Sequence, residues 1–335
     1  MLGYLTTRPV ERMSMGPTLF FPGIDFAPYP GHILGMTWLY IILWIMIGVS
    51  SLLAGLTTLL FYYDNYNTYG PEELHRRTGV SMPVLFLRTL GQTLLSQLIV
   101  SVTYPFGYIK PLWFRPPDVA IRQPRSSNPG HAEPRPPVLL IHGLYHNASA
   151  WVYMKYRLRQ AGYEHIFAYS YFSFFQDFFH LTRVLANKVE ELRSYFPDTK
   201  LVLMGHSLGA LTIRAYMASL ESQDKIAAAV ALAAPHQGSR LAALGFGGLA
   251  RSLMYKGELI TALEQADQPA SAPCLSIASP VDEFVLPLDA TFLPRAQELG
   301  WTEQTGPSIP HVSLLFSPKT ADMSLAFLDK VLAEN

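Results

Sequence analysis

Leu201-Val202-Leu203-Met204-Gly205-His206-Ser207-Leu208-Gly209-Ala210-Leu211-Thr212 places an apolar run, a Gly-x-Ser-x-Gly pentapeptide and the opening of a helical pattern in direct succession. Strand, sharp turn and helix in that order describe a nucleophile elbow. The turn is so tight that its serine takes a strained backbone conformation, and side chains at the flanking positions would collide with neighbouring elements. Glycine has none to collide. The strain lifts the Ser207 hydroxyl clear of the sheet and sets the Leu208 amide at a helix N-terminus, where it donates to a developing oxyanion.

The flanking sequence repeats the same alternation. Val138-Leu139-Leu140-Ile141 reads as a buried strand running into His142-Gly143-Leu144, and Ala148-Ser149-Ala150-Trp151 opens a helical pattern. Ile166 to Tyr169 reads as a strand, Leu181 to Tyr195 as a helix, and Ile226 to Leu232 and Pro273 to Ala278 as further strands; Ala321 to Leu332 is a terminal helix. Alternating strands and helices imply an α/β fold, with a mostly parallel sheet covered on both faces. Chemistry in such sheets sits at the carboxyl ends of strands, where both His142-Gly143-Leu144 and the elbow fall.

A serine hydroxyl is a weak nucleophile at neutral pH and needs a base, which in turn needs an orienting acid. Behind an elbow, the acid precedes the histidine in the chain. Asp282 lies just beyond the strand that ends at Ala278 and is the expected acid, with Glu283 and Asp289 as nearby rivals; its plain alternative is a turn residue after Pro280. Only His236 and His311 follow Ser207 in the chain. His236 precedes Asp282 and fails the order, so His311 is the expected general base; the alternative for it is a solvated loop histidine.

With these motifs in place, the segment 137–335 resembles the α/β-hydrolases, and among them the bacterial true lipases. The resemblance rests on His142-Gly143-Leu144, the Gly205 to Gly209 pentapeptide, Ala234-Pro235-His236-Gln237-Gly238-Ser239, Asp282 and His311. It implies a lipase or carboxylesterase acting on acyl esters through a Ser207-His311-Asp282 triad and an acyl-enzyme. The backbone amides of Leu144 and Leu208 would form the oxyanion hole, and no cofactor is required. Two departures count against a structural calcium ion. The position two beyond His311, often an aspartate ligand in those lipases, is Ser313, and the single cysteine, Cys274, cannot supply the disulfide many of them carry.

The N-terminal third has another character. From Phe26 to Tyr63 there is no Asp, Glu, Lys or Arg. The interval from Tyr40 to Phe61, flanked by aromatic residues, would rise roughly 32 Å as a helix, enough to span a bilayer. A retained transmembrane helix over about 33–62 is therefore expected, since a cleaved signal would start earlier and be shorter. A second apolar stretch, Pro83 to Tyr108, carries Arg88, Gln92 and Gln97 and is read as spanning or interfacial. Arg8 and Arg12 on one side balance Arg76 and Arg77 on the other, which leaves orientation open. Arg115 to Pro137 holds seven prolines and reads as a connector between a membrane region, 1–114, and a catalytic domain, 138–335. Charged residues are 15% of the chain, well below a soluble average of about 25%, and net charge is zero. The expected partners are therefore a membrane, the bacterial inner membrane on the resemblance, and a lipid or other acyl ester, with no nucleic acid.

Two apolar segments have two readings each. Ser239 to Gln265, with Gly245, Gly247, Gly248 and Gly257, is either a mobile lid or ordinary helical packing. Phe172, Phe174, Phe175, Phe178 and Phe179 either line an acyl pocket or pack in the core, the latter being favoured. Competing functions are an acyltransferase using the same acyl-enzyme and a catalytically silent scaffold.

Overall fold

The computed structural model describes residues 30–116 and 135–334. Most of the expected connector lies outside the described residues, as do Arg8 and Arg12. The chain divides into two compact units, Met1–Trp44 and Ile45–Asn335, and all contacts given below lie within the second.

Strands β1 (Val138–Ile141), β2 (Ile166–Tyr169), β3 (Leu201–His206), β4 (Ile226–Leu232), β5 (Cys274–Ala278) and β6 (Trp301–Thr305) form one sheet in the order β2-β1-β3-β4-β5-β6, with every pairing parallel. The α/β fold expected from the sequence is thus the fold observed. Strands β1 to β5 are almost wholly buried, because a parallel sheet covered on both faces exposes neither, and this is why they read as continuous apolar runs. Strand β6, Trp-Thr-Glu-Gln-Thr, is exposed at three positions and escaped the sequence reading for that reason.

Helices α6 (Phe178–Tyr195) and α7 (Leu208–Met217) cover one face with Leu139, Ile141, Leu201 and Leu203; α5 (Val152–Gln160) and α10 (Pro318–Ala333) cover the other with Val138, Leu140, Val202 and Met204. The period of two along each strand produces that division. Local signals set the helix starts: Asp177 Oδ1 accepts from the His180 amide at 2.7 Å ahead of α6, and Ser317 Oγ from the Thr320 amide at 3.2 Å ahead of α10. Between β1 and β3 the chain reverses its direction across the sheet, since β2 lies on one side of β1 and β3 on the other. Such a switch point opens a crevice at the strand ends.

Ahead of the sheet come α1 (Pro30–Thr68), α2 (Pro71–Thr78), α3 (Met82–Thr103) and the short α4 (Lys110–Trp113). Two stretches, Tyr40–Thr68 and Met82–Tyr108, are long and apolar enough to cross a membrane. Their faces are inverted relative to a helix on a water-soluble core. In α1, Ser50, Ala54, Thr57, Phe61 and Asn65 are buried, whereas Val49, Leu52, Leu56, Leu59 and Tyr63 are exposed. In α3, Thr89, Thr93 and Ser96 are buried beside Leu85 and Val100, whereas Val84, Leu87, Leu95 and Val102 are exposed. Buried polar groups on these stripes bond along their own helix: Thr57 Oγ1 donates to the Leu53 carbonyl at 2.9 Å and Asn65 Nδ2 to the Phe61 carbonyl at 2.8 Å.

These helices do not stand apart from the sheet domain. Phe61, Leu74 and Leu85 form one apolar cluster with Val281, Leu286 and Leu288 from the loop after β5. Asn147 Nδ2 donates to the Tyr104 carbonyl at 2.7 Å and Ser170 Oγ to the Gly107 carbonyl at 2.8 Å, which ties the turn after α3 to the loops following β1 and β2.

Candidate active site

Ser207 sits between β3 and α7 at φ 55° and ψ −120°, a region that costs a non-glycine residue about 1–3 kcal/mol. The neighbouring chain over-determines it. A Cβ at Gly209 would overlap the carbonyl oxygens of Ile141 and His142 at the end of β1, so β1 and α7 approach as closely as backbones allow. A Cβ at Gly143 would lie 3.0 Å from Ser207 Cβ and 3.2 Å from His206 Nδ1; the glycine of His142-Gly143-Leu144 keeps the serine's surroundings open.

The loop after β5 carries Asp282, the acid expected from the sequence. Asp282 is fully buried; its Oδ1 accepts from the amides of Phe284 at 3.0 Å and Val285 at 2.9 Å, and its Oδ2 faces His311 Nδ1 at 2.7 Å. Of the three acids weighed from sequence, it is the one on the imidazole. Glu283 is equally buried but turns elsewhere: Oε2 accepts from the His311 backbone amide at 2.8 Å and Oε1 from Thr93 Oγ1 of α3 at 3.2 Å. Asp289 pairs with Arg77 at 3.1 Å near the surface. His236 is buried with Nε2 3.0 Å from Ser276 Oγ, a partner outside the Asp282 and His311 pair.

Electrostatics separate His311 from its neighbours. Burial of its ring opposes the cation, yet the charge and hydrogen bond of Asp282, with Glu283 adding to them, hold its pKa above the ordinary histidine value. His142, His146 and His206 lie nearby with no carboxylate, and burial depresses all three, His142 to about 3 and His146 to about 4. His206 Nε2 donates to the His311 carbonyl at 3.2 Å, which braces His311 from behind. His142 Nδ1 donates to the Gly143 carbonyl at 2.8 Å and its ring stacks on Tyr171 at 3.8 Å, fixing the turn after β1. Burial and the charge of Asp282 push Glu283 up to about 7.

Ser207 and His311 line one cavity of about 660 Å³ together with Leu144 and His146. That size is within the range of about 300–1,000 Å³ usual for small-molecule sites. Among the described residues, the amides of Leu144 and Leu208 have no hydrogen-bond partner, and Leu208 opens α7, where such amides are left free by helix geometry. Such an arrangement offers a hydroxyl, an imidazole with raised basicity, and backbone donors, the components of acyl transfer.

The segment read as lid or packing is divided between buried and cavity-lining positions. Leu249, Leu253, Leu259 and Leu263 are buried, whereas Leu244 and Phe246 line the cavity of Ser207 and are largely exposed at its rim. For the phenylalanine run, core packing fails at Phe172, Phe175 and Phe179, which are exposed; Phe178 alone is well buried. Phe174, Phe175, Phe178 and Phe179 instead line a separate, larger cavity of about 910 Å³ that holds none of Ser207, Asp282 or His311. The helical spacing of aromatic residues gave no sign of it, because exposure depends on what the rest of the chain leaves uncovered. Sequence reading also passed over His146, His206 and Thr93. A histidine inside the elbow was the one available signal for the cluster.

Residues 138–330 match the profile of the Alpha/beta hydrolase family, more than half of the chain. The sequence has no match among curated proteins. Among solved structures, a lipase of Bacillus licheniformis in its mature form is similar with a TM-score of 0.50 at 18% identity, over 60% of this chain and 94% of that one. Lipase B of Aspergillus fumigatus is similar with a TM-score of 0.52 at 16% identity, over 62% of this chain and 55% of that one. At such identities the likeness is one of fold. Together with the parallel sheet and the family match, it establishes that the chain belongs to the alpha/beta hydrolase family.

Proposed function

We propose that the protein is a membrane-bound serine hydrolase that cleaves the acyl ester of a lipid. The observation that carries this reading is the 2.7 Å contact of His311 Nδ1 with buried Asp282, with the same imidazole and Ser207 on the wall of one cavity. In the reaction, Ser207 Oγ attacks the ester carbonyl carbon as His311 Nε2 takes its proton. The carbonyl oxygen becomes an oxyanion held by the Leu144 and Leu208 amides. The carbon–oxygen bond to the alcohol then breaks as His311 returns the proton to that oxygen. Water, deprotonated by His311, releases the fatty acid from Ser207 by the same route. Each oxyanion donor is expected to contribute about 2.7–4 kcal/mol to the transition state.

The membrane part of the reading rests on the inverted helices. Large apolar side chains face outward and small or polar ones inward along α1 and α3, as suits helices whose outer surface meets hydrocarbon. In this reading residues 1–114 form the membrane region and 138–335 the catalytic domain. The lipase names among the structural relatives agree with a lipid ester as substrate.

The test is a panel of lipid and short acyl esters given to the full chain in detergent, beside Ser207→Ala. Hydrolysis of at least one ester that falls to background in the variant is expected. Equal behaviour of the two proteins on every substrate would remove the enzyme reading.

A further inference from the structure

The cavity that holds Ser207 is not built by the hydrolase fold alone. One wall comes from helices that precede the family match at 138–330: Leu53, Leu56 and Thr57 of α1, and Gln97, Val100 and Ser101 of α3. The lining also includes Leu144, Leu244 and Phe246. Without α1 and α3 the serine would lack this part of its cavity's lining.

Other contacts fix α3 in that position. Thr93 bonds Glu283, which holds the His311 amide, and Ser313 Oγ donates to the Gln92 carbonyl at 3.3 Å, so the wall and the base share a frame. On the far side of the same helices, Leu52 and Leu95 are exposed. The helices therefore turn an apolar surface outward and, toward the cavity, the apolar side chains Leu53 and Val100 among the polar Thr57, Gln97 and Ser101.

We propose that α1 and α3 are the acyl-chain wall of the serine site, so that the protein takes a bilayer lipid whose scissile chain lies against Leu53 and Val100. This inference rests on the serine-hydrolase reading above. It makes chain-length selectivity a property of the N-terminal helices and not of the domain that carries the triad. The larger cavity by Phe174 to Phe179 is the rival location for the chain.

A fluorophosphonate with a long alkyl chain ending in a photoactivatable group separates these possibilities in the unaltered full-length protein. Ser207 Oγ displaces fluoride from phosphorus, and light then joins the chain end to whatever surrounds it. Crosslinks to peptides bearing Leu53 to Thr57 or Gln97 to Ser101 are expected. Crosslinks confined to peptides bearing Phe174 to Phe179 or Gly248 to Ala262 would overturn the proposal. Substitution gives an independent readout: Leu53→Trp and Val100→Trp should lower the ratio of palmitate to butyrate ester hydrolysis by about tenfold or more, given the discrimination that pocket methylenes supply. Leu52→Trp, on the outer face, should leave the ratio unchanged. An unaltered ratio in both inner variants would count against the wall. If the probe attaches nowhere on Ser207, the hydrolase reading itself falls and this inference with it, a result distinct from attachment with crosslinks elsewhere.

Discussion

His311 is held by two carboxyl groups at two different atoms, Asp282 at Nδ1 and Glu283 at the backbone amide. Their roles differ in consequence. Asp282 fixes the ring and stabilises its cation; Glu283 fixes the backbone that carries the ring and adds charge from a short distance. Burial opposes the cation and the two acids favour it, with a net rise in the His311 pKa. Catalysis needs the neutral imidazole, so activity is expected to fall as pH drops through a value above the usual 6.5 or so. Glu283→Gln keeps an acceptor for the His311 amide but removes the charge that Glu283 carries above its own pKa of about 7. The acid limb of kcat/KM against pH should therefore move to lower pH. A limb that stays in place, or moves upward, would show that Glu283 exerts no such field.

Helix α7 carries the elbow, and a buried ion pair ties it to Asp267 and to the loop after β4. Arg214 donates to both carboxylate oxygens of Asp267, at 3.0 and 2.5 Å, and to the His236 carbonyl at 2.6 Å, with 1% and 5% of the two side chains exposed. Removing one partner strands the other charge. Asp267→Ala should lower stability by about 3–5 kcal/mol in chemical denaturation, whereas Arg214→Met combined with Asp267→Leu should restore much of it. A small loss for Asp267→Ala alone would contradict the account of this pair. Most of the sheet was legible beforehand, because central parallel strands must be apolar throughout and their ends carry the glycine and histidine motifs. Strand β6 was not, since Thr302, Glu303 and Thr305 are exposed and carry no apolar run. Chain order pointed to Ser207, Asp282 and His311 as a group, and the structure sets Asp282 Oδ2 2.7 Å from His311 Nδ1. What order cannot reveal is a partner far away in sequence, such as Thr93 on Glu283, 190 positions apart.

Across the molecule, the N-terminal helices and the hydrolase fold meet at the site and not merely through a connector. Phe61 and Leu85 pack on the loop that carries Asp282, α3 bonds the loop that carries His311, and both helices wall the cavity of Ser207. Composition alone suggested an anchor joined by a proline-rich tether, because apolar helices look alike whether they only hold a domain or also shape its site. Burial distinguishes them: the small and polar stripes of α1 and α3 are the surfaces turned toward the protein. The proposed function requires Ser207 to be an activated nucleophile on the wall of that cavity. Its most direct test is mapping of a fluorophosphonate adduct on the intact protein across pH. A single adduct on the peptide bearing Ser207, whose rate of formation falls in acid with the protonation of His311 and collapses in Asp282→Asn, is the predicted result. Adduct formation at another residue, or at Ser207 with no dependence on pH or Asp282, would contradict it.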